Sequence, residues 1–287
     1  MLNRPANLTR RTALASLAFP LLTQADSSTS QIRLGCQTNA WPIHPAQSDT
    51  LFAALGNIRD LGFTGFETGF ANVLPLANQP AELKRHSQGL TMFGVHIFLP
   101  HYDPATSVAP PELVGKVAGL GAKLGFERLI LSGAPAADAM ALRSKADALN
   151  RYGKQVNSFG LKLAYHNHGP EFKGAEPEIE SLLASTDPSL VWFLLDAGHA
   201  FDAGADVVSF VNRHSGRLTG LHLRDYRNGH QVPLGEGDFP VRAVAHALRH
   251  NHWNGWALAE EERLDGSKPG NAAAAPAIAA LHQTFGI

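Results

Sequence analysis

From Gln31 onward, hydrophobic positions form short continuous runs that alternate with longer segments of helical spacing. Continuous apolar runs are typical of parallel strands covered on both faces, and apolar residues three and four positions apart indicate amphipathic helices. The pattern predicts strands over residues 32–37, 65–67, 92–98, 128–131, 161–166, 190–196, 218–222 and 256–260. Eight strand-then-helix units without a break in composition favour one closed α/β barrel of the (β/α)8 type over residues 31–287. An open doubly wound sheet is the alternative, but no Gly-x-Gly-x-x-Gly sequence follows a predicted strand.

The helical segments between these strands carry recognisable end signals. Ser48 is a candidate N-cap for the first helix, and Asp138 for a longer helix over residues 139–159. The alanine-rich segment over residues 272–281 predicts the last helix, with Pro276 in its first turn because proline is tolerated there.

The first 25 residues have the composition of a targeting signal. Arg4, Arg10 and Arg11 are their only charged residues, and a mostly apolar stretch over residues 13–22 precedes a small-residue cleavage pattern that ends at Ala25. The Arg10-Arg11 pair resembles a twin-arginine export signal. This ten-residue stretch spans only about 15 Å as a helix, too short for a stable membrane anchor. The sequence therefore predicts a signal peptide over residues 1–25 and an exported or periplasmic protein.

The composition narrows the choice of partners. The chain has 24 Lys plus Arg against 25 Asp plus Glu, a formal net charge of −1. Nucleic acid is not expected as a partner, because phosphate binding needs a basic surface. Cys36 is the one cysteine, so the chain can form no internal disulfide.

Polar and ionisable residues cluster where the predicted strands end. In a (β/α)8 barrel the carboxyl ends of the strands build the active site. Carboxylates and imidazoles are costly beside an apolar core unless they are paired or bind a metal, so we expect them to converge on one mouth. The residues concerned are Glu67, His96, His166, Asn167, His168, Glu171, Asp196, His199, His222, Arg224 and Glu260. Oxygen and imidazole ligands without thiolates suit Mn²⁺, Mg²⁺, Co²⁺ or Zn²⁺.

Several of these residues have a plainer interpretation. Asp196 alone is a common type of helix cap, and His222 between two leucines can be a hydrogen-bonded core histidine. Glu67 and His96 can simply hydrogen-bond across the barrel interior. Of Glu260, Glu261 and Glu262, two are expected to be solvated, and strand parity favours Glu260 as the inward one. Trp41 and Phe98 can stack on a pyranose face or pack in the core.

Five motifs together resemble the sugar phosphate isomerase/epimerase family, part of the xylose isomerase-like TIM barrel superfamily that also holds inosose dehydratases, ketose 3-epimerases and endonuclease IV. The motifs are Gly65-Phe66-Glu67, Tyr165-His166-Asn167-His168, Leu195-Asp196-Ala197-Gly198-His199, Leu221-His222-Leu223-Arg224-Asp225 and Ala259-Glu260. The likeness runs from about Gln31 to the C-terminus, and the Tyr-His-Asn-His sequence resembles one subgroup of the family.

The resemblance implies a divalent metal held by Glu, Asp, His and Glu at the ends of strands five to eight. Asp196, His222 and Glu260 match three of these positions. The chain departs at the fourth, where His166 stands in place of the expected Glu. Either His166 completes the site, or Glu171 reaches back from the following loop, or three protein ligands and water hold the metal.

The resemblance also implies the chemistry and the substrate. The metal binds neighbouring carbonyl and hydroxyl oxygens of a sugar, and an isomerase or epimerase reaction passes through an enediolate. Glu260 would be ligand and base, with His168, Glu171 and His199 as further acid/base candidates. Glu67, His96, Asn167, Arg224 and Trp41 are candidates for binding the carbohydrate substrate.

Three other functions remain open at the level of sequence. On a 3-keto-glycoside the same site would act as a lyase or hydratase. A nuclease like endonuclease IV would need a multinuclear metal cluster and a basic face, and the chain lacks the strand-five Glu and the positive charge. The third alternative is an exported sugar-binding barrel without catalytic activity.

Overall fold

Eight parallel strands close into a barrel in the computed structural model, which describes Met1 and residues 31–263 and 266–286. Apart from Met1, the predicted signal peptide lies outside the described residues and stays a prediction. Each barrel strand is hydrogen-bonded to its neighbours in chain order, and the first pairs with the last. The predicted (β/α)8 fold is therefore confirmed. The barrel strands are β1 (Ile32–Gln37), β2 (Gly65–Gly69), β3 (Thr91–Ile97), β4 (Arg128–Leu131), β5 (Lys162–His166), β6 (Val191–Asp196), β7 (Leu218–Leu223) and β10 (Gly255–Ala259).

Helices connect the strands around the outside of the barrel. They are α1 (Ser48–Asp60), α2 (Phe70–Val73), α3 (Pro80–His86), α4 (Pro111–Leu124), α5 (Ala139–Asn157), α6 (Glu178–Ser185), α7 (Ala197–Asp202), α8 (Val207–His214), α9 (Val241–His250) and α10 (Asn271–Phe285). Among the described residues, no helix combines the length and the hydropathy that a membrane span requires.

The structure confirms one predicted helix end and corrects two. The Asp138 carboxylate accepts hydrogen bonds from the backbone N–H groups of Met140 and Ala141, so it caps α5 as predicted. Ser48 is instead the first residue of α1, and no side chain caps that helix. Pro276 lies inside α10 rather than in its first turn, because the helix already begins at Asn271. Sequence patterns locate a helix better than they locate its first residue.

The part of the barrel interior farther from the carboxyl ends of the strands is filled by large apolar side chains that lie opposite glycines. Trp256 is fully buried there with Phe93, and their rings lie 5.9 Å apart. A Cβ atom at Gly65 would stand 2.3 Å from the Trp256 ring, so only glycine allows the indole to cross the barrel axis at this level. This apolar plug closes one end of the barrel and leaves the carboxyl ends of the strands to form the site.

A short antiparallel hairpin covers part of the open end. It consists of β8 (Asp225–Arg227) and β9 (His230–Val232), which the hydrophobic pattern did not predict. The buried Asp225 carboxylate accepts hydrogen bonds from the backbone N–H groups of Gly235, Gly237 and Phe239. Asp225 therefore fixes the Gly-rich loop beside the barrel mouth and is not available for chemistry.

Candidate active site

Every barrel strand contributes one buried polar side chain to a layer at its carboxyl end. These residues share the inward parity of their strands, and each is at most 6% exposed. The layer consists of Gln37, Glu67, His96, Ser132, His166, Asp196, His222 and Glu260. Because a polar side chain buried without a partner is costly, its members are linked to one another.

The four residues predicted to bind a metal lie together in this layer. His166, Asp196, His222 and Glu260 each offer one atom within 4.8 Å of the other three, and all four are buried. His222 Nδ1 lies 2.6 Å from Glu260 Oε2 and 3.0 Å from His166 Nε2. His166 Nε2 lies 3.7 Å from Asp196 Oδ2. The structure therefore brings His166, and not Glu171, beside the other three candidate ligands.

Neighbouring side chains orient both imidazoles of this group. His222 Nε2 donates to Glu67 Oε2 at 2.8 Å, which leaves Nδ1 directed at the group. His166 Nδ1 lies 3.3 Å from Ser132 Oγ, which leaves Nε2 directed at the same place. Metal-binding histidines in proteins nearly always hold their second ring nitrogen in this way. The two imidazoles are thus fixed by partners that do not need to touch the metal or the substrate.

His96 connects Glu67, the partner of His222, with Ser132, the partner of His166. His96 Nδ1 lies 3.2 Å from Glu67 Oε1, and its Nε2 lies 2.7 Å from Ser132 Oγ. Burial alone would raise the pKa of Glu67, but contacts with His222 and His96 hold that pKa below its usual value. Glu67 is fully buried with both oxygens engaged, so the hydrogen-bonding interpretation describes its geometry better than the substrate-binding one.

Arg224 lies between the two carboxylates of the group. Its Nε is 3.2 Å from Asp196 Oδ2, and its terminal nitrogen Nη2 is 2.5 Å from Glu260 Oε2. Burial raises the pKa of Glu260, but Arg224 first and then His222 hold it well below its usual value. The Glu260 carboxylate is therefore held in its negatively charged form, which is the form that binds a cation.

The residues present fit a divalent metal. The donor set is two imidazole nitrogens and two carboxylate oxygens without a thiolate, which suits Zn²⁺, Mn²⁺ or Co²⁺. Among the described residues, Asp196 Oδ2 and Glu260 Oε2 are buried and have no hydrogen-bond partner of good geometry, although Arg224 lies at ion-pair distance from both and His222 Nδ1 lies 2.6 Å from Glu260 Oε2. Two buried carboxylate oxygens aimed at the same place are an incomplete arrangement that a cation would complete.

Two predicted acid/base residues stand at the rim of the group. The side chains of His168 and His199 are 27% and 20% exposed, and their rings lie 5.6 Å apart. Burial, reinforced by the charge of His199, lowers the pKa of His168 to about 3. His199 Nδ1 lies 3.3 Å from the hydroxyl of Tyr226, and its Nε2 lies 3.6 Å from Asp196 Oδ2. Both imidazoles can reach a ligand placed on the group.

Asn167 and Gly198 hold Asp196 and Arg224 in place. The Asn167 amide donates to the Asp196 carbonyl at 3.1 Å and accepts from the Asp196 N–H at 3.0 Å, so it joins the ends of β5 and β6. Asp196 Oδ1 accepts from the His199 N–H at 2.7 Å and caps α7, which agrees with the helix-cap interpretation. A Cβ atom at Gly198 would stand 2.2 Å from Arg224 Cγ, so glycine lets the arginine cross the start of α7. Asn167 is 1% exposed, so it braces the site and is not placed to touch a substrate.

Glu171 belongs to a separate buried network behind β5. One of its oxygens, Oε1, lies 3.2 Å from Lys145 Nζ and contacts the Tyr165 hydroxyl. The other, Oε2, accepts from the His168 N–H at 2.6 Å. Lys145 also donates to Glu178 at 2.6 Å and to the Ala134 carbonyl at 2.8 Å. Burial raises the pKa of Glu171 in spite of Lys145. The interpretation of Glu171 as a swinging ligand therefore finds no support in the geometry.

A cavity of about 840 Å³ opens from the candidate metal group to the surface. His96, His166, His168, His199, Arg224 and Glu260 line its floor. Phe98 also lines the cavity and is 58% exposed, so the core-packing interpretation is wrong for this residue. Trp41 is 7% exposed and lines the same cavity, so it is both packed and accessible to a ligand.

Sequence reasoning missed four residues and misplaced one. Gln37 and Ser132 share the inward parity of their strands, and that parity would have identified them. Asn39 donates to Glu260 Oε1 at 2.9 Å from a 3₁₀ helix, and Lys145 comes from α5, so no local pattern marks either of them. Glu261 was expected to be solvated but is fully buried, where Arg263 and the Leu234 N–H contact its oxygens. Burial raises the pKa of Glu261 to about 7.

Replacing Ser132 with alanine is expected to weaken divalent-metal binding by about 10- to 100-fold, the range found for residues that orient metal-binding histidines. The reason is that His166 would lose the partner of its Nδ1 atom. Titration calorimetry with Zn²⁺ or Mn²⁺ measures this directly. Ser158→Ala is the matched control, because the Ser158 hydroxyl donates to the Gln155 carbonyl at the end of α5, away from the candidate metal group. An unchanged affinity in the Ser132 variant would contradict the proposed support.

Two inosose dehydratases resemble this chain, one over less than half of its length and one over most of it. A curated inosose dehydratase from Lactiplantibacillus plantarum is 32% identical over 134 residues, which cover 40% of this chain and 45% of that protein. The chain thus matches less than half the length of this relative. Another inosose dehydratase, from Clostridium perfringens, is 22% identical over 270 residues, which cover 82% of this chain and 91% of that protein.

Solved structures share the fold at lower identity. An L-ribulose 3-epimerase matches with a TM-score of 0.75 and 19% identity, over 89% of this chain and 95% of that one. An IolI protein described with a binding zinc atom matches with a TM-score of 0.70 and 14% identity, over 88% and 98%. The model of the xylose isomerase-like TIM barrel family matches residues 55–283. This chain therefore belongs to the xylose isomerase-like TIM barrel family.

Proposed function

We propose that this protein is a divalent-metal-dependent enzyme that moves a proton at a carbon next to the carbonyl of a sugar or keto-sugar, as an isomerase or epimerase. The observation that carries the proposal is the buried group of His166, Asp196, His222 and Glu260, of which His166 and Glu260 line the floor of an open cavity. A bound divalent cation would supply a Lewis acid that stabilises negative charge developing on substrate oxygens as the proton leaves.

The side chains around the group suit proton transfer. In this proposal the Glu260 carboxylate accepts the carbon-bound proton, and Asn39 fixes it by donating to Oε1. His168 and His199 stand at the rim, where both can hydrogen-bond substrate hydroxyls. The pKa of His168 is about 3, so its imidazole is neutral and serves as a hydrogen-bond partner, whereas His199 is the candidate that returns a proton to another carbon or face. The exposed ring of Phe98 lies 5.7 Å from that of His168 and offers a stacking surface for a sugar ring.

A second candidate function is a lyase or hydratase that acts on a 3-keto-glycoside at the same site. One observation favours it: inosose dehydratases are among the relatives of this chain. The first step is shared, because removal of the proton next to the carbonyl precedes both outcomes. The fate of the leaving group then separates elimination from isomerisation.

Proton exchange at carbon tests the proposal directly. The protein is loaded with Mn²⁺ or Zn²⁺ and incubated in D₂O with a panel of pentuloses, hexuloses and 3-keto-glucosides, and ¹H NMR follows the carbon-bound protons. We expect metal-dependent loss of one proton signal on at least one substrate. Glu260→Gln should abolish the exchange, because an amide cannot accept the proton. New vinylic signals would identify the lyase.

The non-catalytic alternative makes the opposite prediction in the same experiment. A sugar-binding barrel would shift ligand signals without exchange of any carbon-bound proton on the whole panel. Glu236→Gln is the control, because Glu236 is an exposed glutamate in the loop after β9, outside the lining of the cavity. Exchange that persists in Glu260→Gln would remove Glu260 from the proposed role.

A further inference from the structure

We propose that the cavity binds a glycoside whose aglycone is an apolar ring, with the sugar on the ionisable floor and the aglycone on an apolar arm. The apolar arm is the part of the cavity wall formed by Trp41, Pro42, Ile43, Phe70 and Ala71. This inference rests on the proposed function and specifies the substrate class of the same site.

The size of the cavity exceeds what a single sugar fills. At the share that a water molecule takes in the liquid, about 30 Å³ per non-hydrogen atom, a hexose of roughly twelve such atoms occupies at most about 360 Å³. The cavity holds about 840 Å³. Enzymes exclude water from the reacting atoms, so a free hexose would leave most of this cavity wet. A ligand with a second part of similar size would fill it.

The two ends of the cavity differ in chemistry. Its floor carries four histidines with Arg224 and Glu260, whereas the apolar arm presents an indole, a proline, an aliphatic side chain and a phenyl ring. Asn72 lines the cavity near the arm, but its amide already donates to Thr68 Oγ1 at 3.0 Å. Charged side chains also line the cavity, but Lys268 pairs with Glu262 at 3.7 Å and Arg263 pairs with Glu261 at 3.1 Å. Against Ile43 and Phe70, an apolar ring gains free energy from the apolar surface it buries, whereas the hydroxyl groups of a second sugar would lose their contact with water. The arm therefore favours an apolar aglycone over a second sugar.

The apolar arm is fixed in place and adjoins the proposed base. Trp41 Nε1 donates to Asn271 Oδ1 at 3.2 Å, and Gly270 lies against the indole, so the ring is held from behind. The Thr38 hydroxyl donates to Thr68 Oγ1 at 2.7 Å, which joins the segment that follows β1 to the end of β2. Asn39, which bonds Glu260, stands two residues before Trp41. A ligand whose sugar lies at Glu260 can therefore extend along this loop directly onto the apolar arm.

Binding of inert glucosides tests the inference without requiring turnover. Titration calorimetry on the metal-loaded protein compares 4-nitrophenyl with methyl glucosides in both anomeric forms, together with their 3-keto derivatives and the disaccharides maltose and cellobiose. We expect a 4-nitrophenyl ligand to bind at least about tenfold more tightly than its methyl counterpart, because the aromatic ring buries apolar surface on the arm.

Two variants of the arm and one control locate the effect. Ile43→Ala and Phe70→Ala should each reduce the ratio of 4-nitrophenyl to methyl affinity by at least about threefold and leave the methyl affinity within twofold. Phe70→Leu is a milder variant if Phe70→Ala fails to fold. Phe159→Ala should leave the ratio unchanged, because Phe159 is a partly exposed phenylalanine before β5, at the opposite end of the barrel.

The outcomes separate this inference from the proposed function. Any one of four results would contradict the proposed role of the apolar arm. They are equal affinities for the two kinds of glucoside, an affinity ratio that both arm variants leave unchanged, tighter binding of a disaccharide, and no binding of any glucoside. Proton exchange on free keto-sugars alongside any of those results would leave the proposed function standing. A tenfold preference without exchange on any sugar would support the arm and contradict the enzyme.

Discussion

Asp196→Asn is expected to lower the affinity of the protein for Zn²⁺ or Mn²⁺ by more than about 100-fold, or about 2.8 kcal/mol. Asp196 supplies one of the two carboxylates in the candidate metal group, and its Oδ2 atom is buried without a hydrogen bond of good geometry. An asparagine has the same shape, and its side-chain oxygen can still accept from the His199 N–H, so α7 keeps its cap. The expected loss of metal affinity would therefore result from the missing negative charge and not from a change in the fold. Elemental analysis after dialysis, with calorimetric titration, measures it.

A second aspartate in the chain offers a close control. Asp206 caps α8 by accepting from the Ser209 N–H at 3.0 Å, which is the same local role, but it lies on the surface away from the cavity. Asp206→Asn should bind metal as the wild type does. If Asp196→Asn retained stoichiometric metal at wild-type affinity, the four-residue group would not be the binding site, and the proposed function would lose its main support.

Lys145→Met is expected to destabilise the protein by about 3–5 kcal/mol, the usual cost of leaving a buried charge without its partner. Lys145 is fully buried, and its ammonium group serves Glu171, Glu178 and the Ala134 carbonyl. Methionine fills a similar volume but offers no positive charge, so Glu171 would remain as an uncompensated buried carboxylate. At about 2–4 °C per kcal/mol for a chain of this size, thermal unfolding should shift down by roughly 6–20 °C.

Two further variants show whether the lost charge is the cause. Lys154→Met alters an exposed lysine on the same helix, so its unfolding temperature should stay close to that of the wild type. Adding Glu171→Gln to Lys145→Met should recover part of the lost stability, because the unpaired charge is removed. A Lys145→Met protein as stable as the wild type would show that Glu171 is neutral or solvated in solution, contrary to the described structure.

The local pattern of apolar residues was sufficient to predict the strands of the barrel. All eight strands lie within three residues of their predicted ends, because a strand covered on both faces must be continuously apolar and the sequence shows such runs directly. The same parity that points Leu258 and Trp256 into the interior points Glu260 inward one position past the strand, so the inward direction of the candidate ligands was also readable.

The sequence by itself determined the strands, the helices and which strand-end residues face the barrel axis. Only the tertiary structure decided which of those residues meet, since the height of each side chain depends on the register of eight strands that pair across the whole chain. It placed His166 beside Asp196 and left Glu171 behind β5, held by a lysine on a different helix. It also buried Glu261 and laid Arg224 between two carboxylates. These pairings join residues far apart in the chain, and no local periodicity encodes them.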